Sequence, residues 1–231
     1  MSVRVSVVVP AWNEAPRLPR LLDALGRCDP SPHEVIVADG GSRDATPEIA
    51  ARRATLIEAD RGRASQQNAG ARAATGDALW FVHADCVPGP SAVAEIGSAL
   101  AAGAPGGCFR IAFPPVERAL HPLVPAIEAG INLRTRLTRR GTGDQGIFTR
   151  VDVFRAAGGF PAWPLFEDVA LADALRRAGR PAVCSGPLET SARRWLRHGV
   201  VRTMGLMWGL RIGYRAGVPP ARLARLWRPE A

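Results

Sequence analysis

Short apolar runs alternate with helical spacing along the first 112 residues. Val3–Val9 is a β-branched run that ends at Pro10, which predicts a buried strand, and four leucines at helical spacing follow within Glu14–Arg27. The same order repeats, with strands predicted at Glu34–Ala38, Thr55–Ala59 and Ala78–Val82, and helices at Thr46–Arg53, Ala64–Ala74 and Ser91–Ala102. Strands that alternate with helices predict βαβ units and a mainly parallel sheet.

The pattern changes after residue 112. Prolines interrupt a helical region that reaches Arg140, and a short strand is predicted at Gly146–Thr149. Helices are predicted at Val151–Ala157 and Asp168–Ala178, and Gly199–Ala216 keeps a helical pattern despite three internal glycines. The sequence therefore predicts an α/β protein whose central sheet is followed by C-terminal helices.

Composition bounds the class of protein. With 231 residues, 47% of them hydrophobic, the chain can bury a core as one large domain or one domain with an appendage. Four cysteines without a CxxC pair argue against a zinc site or a disulfide framework and suit a reducing cytosol. We find neither a signal peptide nor 18 consecutive uncharged apolar residues, so a cytoplasmic location is expected.

The charge is concentrated at the end of the chain. All 30 basic residues are Arg; residues 1–175 hold 18 Arg against 19 acidic residues, and residues 176–231 hold 12 against two. A basic tail with interspersed aromatics could bind nucleic acid, but no RNP, helix-turn-helix or zinc pattern is present, so we expect no nucleic-acid partner. The absence of GxGxxG excludes a dehydrogenase.

Polar clusters follow three of the predicted strands. They are Pro10–Glu14, Asp39–Asp44 and His83–Asp85. Ligands of an open parallel sheet bind beyond the carboxyl ends of its strands, so these clusters are expected to share one cleft. One carboxylate there could bind a base or ribose, and another could hold a divalent metal. Asp39-Gly40-Gly41 could equally be a turn with a helix cap.

The chain resembles the family 2 glycosyltransferases of GT-A fold over residues 3–198. The matching segments are Val7–Glu14, Val35–Thr46, Gly62–Gly70, Gly76-Asp77, Phe81–Asp85, Gly143–Phe148, Gly158–Phe160, Phe166–Asp168 and Thr190–Trp195. It looks closest to a small bacterial subgroup with short soluble chains, described as linked to radical-SAM or selenium-related gene clusters. The resemblance implies a Rossmann-like central sheet flanked by helices, and transfer of a sugar from a nucleotide-diphosphate donor.

The resemblance also implies which residues bind the donor. They are Pro10, Trp12, Glu14, Asp39, Arg63, Gln67, Asn68, His83, Ala84, Gly107, Arg193 and Arg194. Asp39 matches the residue that hydrogen-bonds the base, while Trp12 either stacks on the base or packs over the sheet edge. Gln67 stands where the family usually has Arg, so Arg63 is either a phosphate ligand or a surface residue. Gly107 either approaches the donor sugar or forms a turn.

The metal motif departs from the family pattern. The family usually shows Asp-x-Asp after the fourth strand, and here the residues are His83-Ala84-Asp85. Asp85 matches the carboxylate that touches Mg²⁺ or Mn²⁺ beside the diphosphate, and the imidazole of His83 suits Mn²⁺. His198 falls near a late metal-binding His of the fold, although a lone His is more often structural.

The acidic pair Glu167-Asp168 resembles the pair that carries the family's catalytic base. The resemblance implies that Asp168 takes the acceptor proton during transfer with inversion and that Glu167 orients it. Without the family, the same pair would be a helix N-terminus favoured by the macrodipole. Asp144, Gln145 and Trp195 are expected on the acceptor side.

The expected organisation is one GT-A domain over 1–231. Residues 1–112 would bind the nucleotide sugar, 113–198 would carry the acceptor side and the base, and 199–231 would form a basic helical tail. The alternatives are a catalytically weak nucleotide-sugar binder and a lipid-phosphate glycosyltransferase at the membrane surface. Residues 199–228 could contact the inner face of an anionic membrane, pack back onto the domain, or form a homodimer contact.

Overall fold

A computed structural model describes residues 3–227 of the chain. Within that range one sheet holds eight strands in the order β3-β2-β1-β4-β7-β6-β8-β5. The strands are β1 (Val5–Ala11), β2 (Glu34–Asp39), β3 (Thr55–Glu58), β4 (Ala78–Phe81), β5 (Val87–Pro88), β6 (Gly106–Ala112), β7 (Phe148–Arg150) and β8 (Ala182–Glu189). The α/β prediction is confirmed, as is a sheet that is parallel in its first half.

Helices cover the sheet and form the end of the chain. They are α1 (Leu18–Gly26), α2 (Thr46–Ala51), α3 (Arg63–Ala73), α4 (Ala92–Ala101), α5 (Pro115–Leu120), α6 (Val124–Thr138), α7 (Val151–Ala156), α8 (Glu167–Ala178), α9 (Arg193–His198), α10 (Val200–Arg215) and α11 (Pro220–Ala224). A 3₁₀ turn at Gly143–Gln145 precedes β7.

The four strands β3-β2-β1-β4 are parallel and end at the same edge of the sheet. Ala11 at the end of β1 pairs with Asp39 at the end of β2, which pairs with Glu58 at the end of β3. The valines of β1 are fully buried because helices pack on both faces of this strand. The polar loops that follow β1, β2 and β4 therefore lie beside one another, as predicted.

The other half of the sheet is mixed. β7 runs antiparallel to β4 and β6, and β6 runs parallel to β8 with an irregularity between Phe109 and Arg110. The pattern of apolar positions misses β8 and α9, since β8 contains Ser185-Gly186-Pro187 and α9 is mostly Arg and His. Gly107 lies inside β6, where a side chain would collide with Ala182 O and the Phe148 ring.

Two small apolar clusters attach the C-terminal helices to the sheet. One joins β6 to α6 and the start of α10 through Ile111, Val124, Ile127 and Val200. Burial, and then the charge of Arg211 in α10, lowers the pKa of Arg134 in α6, so the two helices also lie near each other further along. The second cluster joins Phe166, Leu210 and Leu223. The tail therefore packs back onto the domain through one side of α10.

Candidate active site

Hydrogen bonds join the loops after β1 and β2. Asn13 donates its backbone N–H to Ser42 Oγ at 2.8 Å, and its side-chain Oδ1 accepts from the backbone N–H of Arg43 at 2.8 Å. Asn13 holds a left-handed backbone with φ of 54°, a conformation that Asn tolerates better than most residues. Ala15 N–H donates to Asp44 Oδ2 at 3.1 Å. The rim of the cleft is therefore fixed by contacts between two strand ends.

Asp39 lies buried at the end of β2. Its Oδ2 accepts from the backbone N–H groups of Gly41 at 3.0 Å and Ser42 at 2.9 Å, and its Oδ1 accepts from Ser42 Oγ at 2.5 Å. These bonds fix the orientation of the carboxylate, and Oδ1 has a further lone pair. Both sequence interpretations of Asp39 are therefore compatible, because the turn that it closes also aims its carboxylate.

Gln66 is a positioning residue that the sequence did not identify. Its Nε2 donates to Ala11 O at 2.7 Å and Ala38 O at 2.8 Å, which ties α3 to the ends of β1 and β2. A β-carbon on Gly40 would lie 3.1 Å from this amide. The sequence signal that could have identified this role is a Gln on a predicted helix near glycines. The adjacent Gln67 is also buried, and its Oε1 has no hydrogen-bond partner among the described residues.

Trp12 carries a cation on its ring. The guanidinium of Arg61, in the loop before α3, lies 3.4 Å from the ring centroid of the half-buried Trp12. This cation–π contact occupies one face of the ring. Pro10 is the penultimate residue of β1 and is partly exposed beside it.

Asp85 lies just after β4 among opposing charges. Burial and the charge of Glu14 raise the pKa of Asp85 to about 6, although Arg17 and Arg63 oppose the shift. Arg193 Nη2 lies 3.3 Å from Asp85 Oδ2, and this long ion pair does not outweigh burial. Asp85 is therefore a carboxylate that a positive ligand would stabilise strongly in its charged form.

The residues at the end of β4 supply two ligand types for a divalent cation. Burial, and then the charge of Arg63, lowers the pKa of His83, which keeps the imidazole neutral as a metal ligand requires. No cluster of three or more His, Cys, Asp or Glu suited to a metal occurs within residues 3–227. Asp85 and His83 therefore fit a cation that takes its other ligands from a diphosphate and water, the usual arrangement for Mg²⁺. Ala84 between them is buried.

Asp168 lies across one glycine from His83. Gly143 N–H donates to Asp168 Oδ2 at 2.8 Å. A β-carbon on Gly143 would lie 3.0 Å from His83 Nε2 and 3.6 Å from Asp168 Oδ2. Because Gly143 has no side chain, both the imidazole and the carboxylate can lie close to its backbone. Asp144, the next residue, accepts from Thr142 Oγ1 at 2.5 Å, and its charge opposes the lowering of the His83 pKa.

Glu167 is buried beside Asp168 at the start of α8. Burial and the charge of Asp168 raise the pKa of Glu167 to about 7, and Arg63 opposes the shift. Arg63 is exposed, yet its charge acts on His83, Asp85 and Glu167. It therefore lies between the β4 end and the acidic pair.

Phe166 holds a strained backbone immediately before the acidic pair. Its φ of 68° is unusual for a bulky residue. The ring packs against Tyr214 of α10, with centroids 4.8 Å apart, and joins the cluster with Leu210 and Leu223. The C-terminal helices therefore brace the residue that directs Glu167 and Asp168 toward the cleft.

Three of the predicted site residues make structural contacts within the fold. Gln145 is fully buried, with its Oε1 bonded to Arg134 and Thr135 and its Nε2 donating to Phe109 O at 3.0 Å. Asn68 exchanges two hydrogen bonds with the backbone of Phe160, at 2.8 and 3.0 Å. Gly107 is enclosed by its neighbouring strands. Their partners are distant in sequence, so spacing alone did not reveal them.

The three residues of the segment Arg193-Arg194-Trp195 contact different parts of the protein. Arg193 faces Asp85, whereas the guanidinium of Arg194 lies 4.0 Å from the ring centroid of Trp227. Trp195 packs on the cluster around Ile111 and Val200, so its ring supports α9. His198 is exposed at the end of α9. Only Arg193 of this segment reaches the end of β4 in the contacts described above.

The sheet and its flanking helices form a GT-A fold. The sequence pattern of the family described as Glycosyl transferase family 2 matches residues 6–155, more than half of the chain. The chain therefore belongs to this family.

One relative is similar in sequence over a limited region. Glycosyltransferase AglE from Haloferax volcanii is 37% identical over 94 residues, a match that covers 36% of this chain and 31% of the relative. The chain thus spans less than a third of that protein in the match.

Several solved structures share the fold at low identity. The mannosyltransferase PcManGT from Pyrobaculum calidifontis superposes with a TM-score of 0.63 at 21% identity, covering 100% of this chain and 66% of the other. Glucosyl-3-phosphoglycerate synthase from Mycobacterium tuberculosis gives a TM-score of 0.60 at 19% identity, with 99% and 82% covered. TarS 1–349 from S. aureus gives 0.60 at 18% identity, with 82% and 61% covered.

Proposed function

We propose that the protein transfers a sugar, with inversion, from a nucleotide-diphosphate donor to an acceptor hydroxyl. The observation that carries this proposal is the position of Asp168, which lies across Gly143 from His83 at the end of β4. This position brings a carboxylate that could act as a base close to the polar strand end that would bind the donor. The reaction then needs no covalent sugar–enzyme intermediate.

The strand ends would hold the nucleotide part of the donor. Asp39 would accept a hydrogen bond from the base, with its carboxylate already fixed by Gly41 and Ser42. Arg63 and Arg193 would neutralise the diphosphate, since each already lies near carboxylates of the site. Pro10, Trp12 and Glu14 would form the adjoining wall.

Asp168 would act as the general base. The acceptor oxygen forms a bond to the anomeric carbon while the bond from that carbon to the diphosphate oxygen breaks. The acceptor proton passes to the Asp168 carboxylate, and the electron pair leaves with the nucleoside diphosphate. Glu167 would be largely protonated below pH 7 and would orient the base or the acceptor without adding a second negative charge. Asp144 would line the acceptor side.

Asp85 and His83 would hold a divalent cation together with the donor phosphates. When bound, Mn²⁺ or Mg²⁺ would neutralise charge on the departing diphosphate. Arg193, which pairs with Asp85, would contact the phosphates once Asp85 binds the cation.

The donor is proposed to be UDP-linked. Structures similar in fold were determined with UDP-GlcNAc in S. aureus TarS, with UDP and Mn²⁺ in the M. tuberculosis synthase, and with GDP-Man and Mn²⁺ in the P. calidifontis mannosyltransferase. These ligands support a nucleotide sugar and a divalent cation here. We propose that the protein is cytoplasmic and that it belongs to the bacterial subgroup with short chains. Its acceptor would be a small molecule or a lipid.

A weaker activity is the second candidate, favoured by His83 and Gln67. His83 replaces one carboxylate of the metal motif, and Gln67 replaces an Arg beside the diphosphate. Both changes would lower the affinity for the cation and the phosphates. A nucleotide-sugar binder with little turnover would have the same donor contacts and lack dependence on Asp168.

A thermal-shift screen tests the donor proposal. UDP, GDP, dTDP and CMP derivatives would be compared with and without Mn²⁺, because ligand binding raises the unfolding midpoint by mass action. We expect the largest rise with UDP compounds and Mn²⁺. No response to any of these compounds would contradict the transferase proposal. A response to GDP alone would change the proposed donor base from uracil to guanine.

A further inference from the structure

The outer side of α10 is apolar although it faces solvent. Val201, Met204, Trp208 and Ile212 recur at spacings of three and four residues, which places them on one face of the helix. Val201 is 74% exposed, and Trp208 and Ile212 are each 63% exposed. We call these four residues the α10 stripe. Large exposed apolar side chains that form a continuous patch mark interaction surfaces.

The α10 stripe is not needed to hold the helix on the protein. The opposite side of α10 does that through Val200, Thr203 and Leu210, which are buried. Gly205 and Gly209 lie beside the stripe, where an added β-carbon would meet nothing within 4 Å. The neighbouring α6 exposes Leu133 and Leu137 in the same way.

The charges of the chain segment that contains the stripe are all positive. Residues 190–227 contain eight Arg and neither Asp nor Glu. Arg202 and Arg215 stand at the two ends of α10, both exposed, and no ion pair within residues 3–227 includes either of them. The surface therefore combines an apolar centre with a cationic border.

We propose that the α10 stripe and its arginines dock on an anionic phospholipid bilayer. Apolar side chains would enter the boundary between headgroups and acyl chains, and the arginines would pair with lipid phosphates. Within the described range no helix is long and apolar enough to span a membrane, so α10 would lie in the plane of the interface.

Charge decides against a second copy of the chain as the occupant. A two-fold contact puts the same patch on both subunits, so Arg202 and Arg215 would face the same positive border. A nucleic acid would satisfy the arginines and leave Val201 and Ile212 in water. An anionic bilayer satisfies both components of the surface.

The bilayer surface would lie close to the proposed base. Tyr214 on the packed side of α10 contacts Phe166, which precedes Glu167 and Asp168. Docking would therefore bring membrane-bound molecules toward the acceptor side. The surface does not depend on the proposed sugar transfer, because lipid binding is measured without turnover.

Vesicle co-sedimentation of the full chain tests this proposal. Phosphatidylcholine vesicles would be compared with vesicles that also contain phosphatidylglycerol, at low and high salt. We expect pelleting with the anionic vesicles that weakens as salt screens the arginines. Equal pelleting with both compositions, or none with either, would overturn the proposal.

Paired variants separate the apolar and cationic parts. R202S/R215S should weaken binding to anionic vesicles roughly 25-fold, because each Arg near such a surface contributes about fivefold. W208S/I212S should weaken it at least about tenfold through lost apolar burial. The control R52S/R72S removes two exposed arginines beside the sheet and should leave binding unchanged.

Two further measurements complete the test. Unfolding midpoints like that of the parent chain would show that the exposed substitutions leave the fold intact. If the stripe is a contact between copies, light scattering would report a dimer of the parent chain that W208S/I212S abolishes. Such a dimer, found together with no lipid binding, would overturn the proposal. Unchanged vesicle binding in both R202S/R215S and W208S/I212S would also overturn it.

Discussion

The two halves of the cleft are held in different ways. At the ends of β1 and β2, side chains and backbone bond directly to one another, as Asp39 does with Ser42 and Gln66 does with Ala38. On the opposite side, Asp168 follows a strained Phe166 that is braced by Tyr214 from the C-terminal helix α10. If the proposed function holds, donor binding rests on local hydrogen bonds and placement of the catalytic base rests on remote packing.

Removal of the base should give the largest effect. Asp168→Asn keeps the shape of the side chain and loses the proton acceptor, so we expect turnover to fall about 10²–10⁴-fold while UDP affinity stays the same. The fall in turnover is measured as the rate at which each variant slowly hydrolyses the donor identified by the thermal-shift screen. Asp173→Asn, on the same helix, is the control and should retain activity. Unchanged turnover in Asp168→Asn would assign the base elsewhere.

Loss of Asp39 should affect binding rather than chemistry. Asp39→Ala removes the carboxylate that would bind the nucleotide base and also the hydrogen bonds that close the turn. UDP affinity should therefore fall roughly 10- to 100-fold, since a hydrogen bond to a charged group contributes about 1.5–3 kcal/mol. Asp39→Asn keeps part of the turn and should give a smaller loss. Equal affinity in Asp39→Ala and the parent chain would remove Asp39 from the donor site.

Loosening of the brace on Phe166 should lower turnover at constant donor affinity. Tyr214→Ala removes the ring that packs on Phe166, and we expect about a tenfold fall in kcat because small misplacements of catalytic groups are costly. Tyr214→Phe preserves the ring and is the matched control. A change in KM for the donor with kcat preserved would mean that α10 acts on the donor half instead.

Glu167 should make stability depend on pH. Its pKa of about 7 in the folded protein lies above the ordinary value, so the folded state holds the proton more tightly than the unfolded state. The contribution of this protonation to the free energy of unfolding is fully present below about pH 4.5 and is lost as the pH rises through 7. Glu167→Gln should therefore gain stability relative to the parent chain between pH 5 and 8, by about 1–3 kcal/mol.

Denaturant unfolding at several pH values measures this difference. The gain of Glu167→Gln should level off above pH 7, and the control Glu48→Gln, on the exterior helix α2, should show no such rise. A gain that is equal at pH 5 and pH 8 would contradict a raised pKa for Glu167.

The donor half was predictable because its signals are local. The β-branched run of β1 and the polar residues after β1, β2 and β4 are contiguous in sequence, so periodicity placed them correctly at one edge. The family resemblance indicated the acidic pair. β8 escaped prediction because its Gly and Pro hide a strand whose stability comes from β6.

The contacts that the sequence did not reveal have one physical cause. Gln145 and Asn68 are polar residues near the cleft, and only tertiary contacts reveal that the backbone of Phe109 and Phe160 takes up their amides. Arg61 and Phe166 escaped notice for the same reason, since a ring contact and a strained φ exist only once distant segments meet.

Calorimetric titration of UDP with Mn²⁺ into Asp39→Ala and Asp168→Asn tests the division of labour most directly. The account predicts weakened binding in Asp39→Ala and parental affinity in Asp168→Asn, with donor hydrolysis lost in the latter. Parental affinity in Asp39→Ala together with weakened binding in Asp168→Asn would contradict it.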